Sequence, residues 1–138
     1  MLYEFDVTAP ANTPASAPTE VLARLNKGLV TQVQVQIPSG CIGLTGAQIW
    51  RGNSQIWPSN PGGYFKGDGL VLTWDEDYEL ADEPLTLKLR VWNTDDTYSH
   101  AVTFRFALIS LQEAEDIRAA PGLLRRLAEA ILGRRGAS

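Results

Sequence analysis

The sequence predicts an all-β fold: an eight-stranded antiparallel sandwich, jelly-roll-like, followed by a short C-terminal amphipathic α-helix. Three observations predict it. Apolar and polar residues alternate over residues 29–37, 85–92 and 100–109, the period of a strand with one buried face. Turns rich in Gly, Pro, Asn and Asp separate the runs at the spacing of sandwiches and barrels. A helical period appears only beyond Pro121.

Taken in order, Tyr3, Phe5 and Val7 alternate with Glu4 and Asp6 in a first strand. Residues 8–20 are Pro- and Ala-rich. Proline withholds ladder donors and favours an extended path, so this stretch is expected to be a surface arm. A short strand over 21–25 and a turn at Asn26-Lys27-Gly28 precede the clearest strand. There Leu29, Thr31, Val33, Val35 and Ile37 face one way and Gln32, Gln34 and Gln36 the other.

Residues 42–50 are expected to form the next strand, and 55–57 to resume it after the turn at 51–54. The repeat of Gln-Ile-Trp at 48–50 and 55–57 suggests a hairpin with Trp50 beside Trp57. Residues 58–69 hold too much Gly and Pro for regular structure and form a long loop. A strand at 70–74 leads into an acidic turn region over 75–83, and 85–92 and 100–109 are expected to pair as a second hairpin around Asn93-Thr94-Asp95-Asp96. A Greek-key sandwich of immunoglobulin type is the alternative architecture, without the Cys…Trp…Cys spacing of a true immunoglobulin domain.

The 138 residues form one domain, with the sandwich over 1–112 and an acidic linker, amphipathic helix and basic tail over 113–138. In the tail Leu123, Leu124, Leu127, Ile131 and Leu132 recur at helical spacing, with Arg125, Arg126 and Glu129 mainly on the other side. Three turns are marginal alone, so this helix is expected to dock, with Leu123, Leu124, Leu127, Ile131, Arg125 and Arg126 as partner-binding residues.

No apolar run approaches the roughly 18 residues of a membrane span, and residues 1–6 lack the basic and apolar regions of an export signal. The net charge of -4 argues against direct attraction to nucleic acid. No membrane or nucleic-acid partner and no cofactor are expected.

Cys41, the lone cysteine, excludes an intramolecular disulfide and fits a small buried residue opening a strand. The one histidine, His100, lies beside Ser99 and close to Asp95 and Asp96, but it begins a strand where a polar residue is expected anyway. Asp75, Glu76, Asp77 and Glu79 suggest a cation site without the twelve-residue loop and central glycine of a calcium hand, which favours a solvated acidic loop. No catalytic and no metal-ligating residues are assigned, and the chain is not expected to be an enzyme. Trp50, Trp57 and Tyr64 flank the long loop and are the candidates for ligand binding, against the alternative that they fill the core or an interface.

The runs Thr8-Ala9-Pro10-Ala11-Asn12-Thr13-Pro14, Val30-Thr31-Gln32-Val33 and Pro38-Ser39-Gly40-Cys41-Ile42-Gly43-Leu44 resemble small β-sandwich structural proteins of tailed bacteriophages. Gln55-Ile56-Trp57-Pro58-Ser59-Asn60-Pro61-Gly62-Gly63 and Trp92-Asn93-Thr94-Asp95-Asp96-Thr97-Tyr98-Ser99-His100 are similar to the same proteins. The resemblance spans about residues 3–109 and brings no catalytic residues. It implies a virion component of head-decoration, vertex or fibre-base type, made in the host cytoplasm. Such a protein would act as a homo-oligomer, with a trimer as one expected form, and through contacts with other virion proteins. A carbohydrate-binding β-sandwich module is the alternative function.

Overall fold

Four antiparallel pairs nest inside one another in the computed structural model, which describes residues 1–119. β1 (Leu2–Ala9) pairs with β8 (His100–Ile109), and β2 (Thr19–Arg24) with β7 (Thr86–Asn93). β3 (Gly28–Ile37) pairs with β6 (Leu70–Leu80), and β4 (Thr45–Arg51) with β5 (Ser54–Trp57). Further pairing of β8 with β3 and of β7 with β4 gives two sheets, ordered β1-β8-β3-β6 and β2-β7-β4-β5. One long hairpin rolled over itself produces this order, and the eight-stranded jelly roll predicted from the sequence is the fold.

The alternating side chains bury between the sheets, with Val33, Val35, Ile37, Phe104, Phe106 and Leu108 from one and Ala47, Ile49, Leu87, Leu89 and Val91 from the other. Burial of each large side chain contributes about 1.5–3 kcal/mol, which offsets the cost of ordering the strands. Trp57, only 4% exposed, lies in this core, so it belongs to no surface site.

Several elements depart from the sequence expectation, each for a local reason. The strands 86–93 and 100–109 are not a hairpin, because the segment 94–99 crosses from one sheet to the other and each strand finds its partners elsewhere. A register shift between Val30 and Gln32 breaks the alternation of β3, so Leu29 and Val33 do not share a face. Leu29 pairs with the outward residues Ile109 and Glu79, whereas Val33 faces the core. A second shift sets Ile49 opposite Trp57 but Trp50 opposite Gln55. One indole therefore points inward and the other outward, and the expected Trp50–Trp57 neighbourhood does not form.

β4 opens at Thr45 rather than 42, since Ile42 and Gly43 take positive φ angles of 49° and 74°. Cys41 is buried in that turn, just ahead of the strand. The acidic stretch is not a turn. β6 runs to Leu80 with Asp75, Asp77 and Glu79 exposed and Glu76, Tyr78 and Leu80 turned inward. A strand at a sheet edge tolerates this acidic outer row, which discourages pairing with a foreign strand.

The Pro-rich stretch is likewise no free arm. Its ends belong to β1 and β2, and its middle is fastened where donors remain: Asn12 N–H donates to Asp95 O at 2.8 Å, and Thr13 and Asn93 exchange two backbone bonds.

The expected acidic linker is helical, as α1 (Leu111–Ala119). Ser110 Oγ accepts the Glu113 N–H at 3.0 Å, the Ser-x-x-Glu start signal of a capped helix. α1 packs against β3 and buries Ala114, and Arg118 reaches Asp77 at 3.2 Å. The predicted helix beyond Pro121, with Leu123, Leu124, Leu127, Ile131, Arg125 and Arg126, lies outside the described residues.

Register separates the two ends of the sandwich. At one end Met1 donates its amino group to Leu108 O at 2.6 Å, and α1 starts beside it. The opposite end gathers the loops 10–18, 38–44, 58–69 and 94–99.

Candidate functional site

Among the described residues, two places gather chemistry-bearing side chains. The first is the outer face of the β2-β7-β4-β5 sheet. Gly46 pairs with Trp92, and the bare glycine makes room for the indole, since a Cβ there would collide with its ring atoms. Tyr64 packs edge-on against Trp92 at 5.0 Å between ring centres. Beside them Trp50 donates to Gln48 Oε1 at 3.0 Å, and Gln48 donates to Gly63 O at 2.8 Å. The Arg90 guanidinium covers the Trp50 ring at 4.7 Å and pairs with Glu20 at 3.3 Å. Trp50 and Tyr64 thus share this face, while Trp57 is removed from it. The Trp50 ring already has a cation over it.

The second place is the loop end, where the turn 38–44 and the crossover 94–99 border an open hollow of about 660 Å³. Ser39, Gly40, Ile42, Leu44, Asp95, Tyr98, Ser99 and His100 line it. At its base His100 Nε2 and Asp95 Oδ2 are 2.9 Å apart, both residues buried. The other Asp95 oxygen accepts the backbone N–H groups of Thr97 and Tyr98, at 2.9 and 3.3 Å. The hydrogen bond from His100, followed by that from Thr97, holds the Asp95 carboxyl below the usual aspartate range. An ionised carboxylate only accepts, so Nε2 carries the proton. Among the described residues none hydrogen-bonds the ring's other nitrogen, Nδ1.

Asn93 braces this turn from within the core. Its Nδ2 donates to Ala9 O and Tyr98 O, and its Oδ1 accepts the Asp95 N–H. The facing turn is fastened by Gly40 N–H to Asp68 Oδ1 at 2.7 Å and by Leu44 N–H to Cys41 O at 2.8 Å. Ile42 sits between these bonds at φ 49°, which costs a β-branched residue of the order of 1–3 kcal/mol. Its side chain is 74% exposed, so no core packing compensates.

The pair of His100 and Asp95 was visible in the sequence as near neighbours around a turn. Nothing in the sequence links Ser39, Ile42 and Leu44 to Tyr98, because residues so far apart along the chain reveal no shared hollow until the sheets are assembled. No serine or cysteine hydroxyl or thiol hydrogen-bonds His100 among the described residues, so the pair lacks the nucleophile of a triad. No three His, Cys, Asp or Glu side chains among the described residues gather as a cation site requires, and alternation along β6 turns Glu76 away from Asp75, Asp77 and Glu79.

No protein-family description and no curated protein matches the chain. Among solved structures, one described as "Crystal structure of PirA" is similar at 18% identity with a TM-score of 0.32, covering 76% of this chain and 94% of that one. At that level the likeness carries no argument about function.

Proposed function

We propose that this chain is a structural protein of a tailed-phage particle, of head-decoration, vertex or fibre-base type, acting through oligomerisation and contacts with neighbouring virion proteins. The observation that carries the proposal is the division of the jelly roll into two ends. Met1 and α1 emerge together at one end, while four cross-tied loops form the other. Such a body can be held by its terminal end and present the loop end outward. The resemblance of residues 3–109 to phage β-sandwich proteins supports the same reading.

Jelly rolls serve both as capsid proteins and as lectins, so fold alone does not choose between them. The termini favour attachment. The charge of residues 118–138 is +4 whereas that of residues 1–112 is -5, which suits the tail to an acidic partner surface, including a second copy of the body.

Incubation of the full chain with purified phage heads lacking it, followed by sedimentation, tests the proposal. Co-sedimentation of the full chain, weakened when residues 118–138 are deleted from a still-folded body, is expected. Equal recovery of both forms in the unbound fraction would defeat it.

A further inference from the structure

We infer that the hollow at the loop end is a binding site for a neutral, hydroxyl-rich ligand of the saccharide class. The inference goes beyond the virion proposal and stands independently of it.

The lining residues narrow the chemistry. Among the described residues no Lys or Arg lines the hollow, so a phosphate, sulfate or carboxylate would meet no lysine or arginine counter-charge from them. Asp95, the one carboxylate among the described lining residues, already has its oxygens occupied by His100 and two backbone N–H groups, which leaves a cation no free carboxylate among them. A wholly apolar ligand would strand the polar groups at the base.

What remains is a mixed surface. His100 is fixed by Asp95 through Nε2, and in the neutral ring Nδ1 is an acceptor held at a set angle. Ser99 and Tyr98 also line the hollow and carry hydroxyl groups, which both donate and accept, whereas the Ser39 hydroxyl lies against Gly69. Ile42, Leu44 and the Tyr98 ring, 68% exposed, form an apolar wall. A sugar ring offers the complement, with hydroxyls around its edge and C–H groups on its face. The volume lies within the range of small-ligand sites. The positive φ of Ile42 supplies a separate observation, because a strained backbone presenting a bare isoleucine to solvent at the rim is what a site, rather than a core, requires.

The full chain would be applied to an array of neutral and anionic glycans. The strongest neutral binder would then be titrated into isotope-labelled protein while backbone amide shifts are followed. The expected result is binding of at least one neutral glycan, with shifts concentrated in residues 39–44 and 95–100. Tyr98→Ala should weaken it at least tenfold. Ile42→Gly removes the apolar wall while relieving the strained φ, so it should weaken binding with an unchanged or raised melting temperature. Trp50→Ala should leave affinity unchanged, and Tyr98→Ala should leave attachment to phage heads unchanged. Absence of any glycan binding, preference for anionic glycans, or loss on Trp50→Ala with retention in Tyr98→Ala would each overturn the assignment.

Discussion

Trp57 and Trp74, which belong to different sheets, donate their indole N–H groups to one oxygen, Glu76 Oε1, at 2.8 and 2.9 Å. The rings meet edge-on with 6.2 Å between centres, where edge strands β5 and β6 face each other across the open side of the sandwich. Glu76 points inward on β6, and this explains why an acid can sit at a core-facing position: its charge is accepted by donors that need a partner of their own. An inward charge at an edge also blocks addition of a further strand.

Glu76→Ala should therefore destabilise the protein by about 2–4 kcal/mol, because two indole donors lose their acceptor. Glu76→Gln keeps a carbonyl oxygen at the same place and should cost less than half as much. Chemical denaturation followed by tryptophan fluorescence measures both. Equal losses in the two variants would show that the shared acceptor is not what matters.

The two tryptophans of the repeated Gln-Ile-Trp should behave differently. Trp57→Ala opens a cavity in the core and should cost about 3–5 kcal/mol. Trp50→Ala removes a half-buried ring from the outer face, together with its contact with Arg90, and should cost about 1 kcal/mol. Melting temperatures of the two variants provide the check, and comparable losses would contradict the opposite facing of the two indoles.

Asp95 sets part of the response to acid. Its carboxyl titrates below the ordinary aspartate value in the folded chain, so folding favours the ionised form. That contribution is complete above the unfolded value of about 4 and fades as pH falls through the lower folded value. Glu83, held low first by the Leu85 N–H and then by Arg24, acts in the same direction. Asp95→Ala should be less stable than the parent at pH 5, and the gap should narrow towards pH 2. Thermal unfolding across that range would expose the error if the gap stayed constant or widened.

Ser110→Ala removes the cap of α1 and should cost this helix about 1 kcal/mol. Hydrogen exchange should rise over residues 111–119 while the strands keep their protection. A uniform rise across the sheets would mean that α1 is more deeply integrated than its packing on β3 implies.

Strand identity was legible wherever one face is buried and alternation is unbroken, as in β7 and β8, and eight strands could be counted on that basis. Pairing was not. The segment 94–99 has the composition of a hairpin turn, and nothing in Asn93-Thr94-Asp95-Asp96 distinguishes a reversal within one sheet from a crossing between two. Bulges at Thr31 and Ile56 escape a period-two reading because one inserted residue leaves both flanks well patterned yet reverses their faces. The acidic outer face of β6 disguises its second half as a turn, although Glu76, Tyr78 and Leu80 continue the inward row. Of the candidate ligand residues, Trp50 and Tyr64 do lie on a surface. The loop-end hollow draws its members from segments brought together only by the roll.

The attachment account rests most directly on one comparison, the mass in solution of the full chain and of a chain ending at Ala119, measured by light scattering over a range of concentrations. The account predicts a multiple of the 15.1 kDa protomer for the full chain and a folded species of lower order for the shortened one. A full chain that stays at 15.1 kDa throughout, or a shortened chain that assembles equally well, would contradict it.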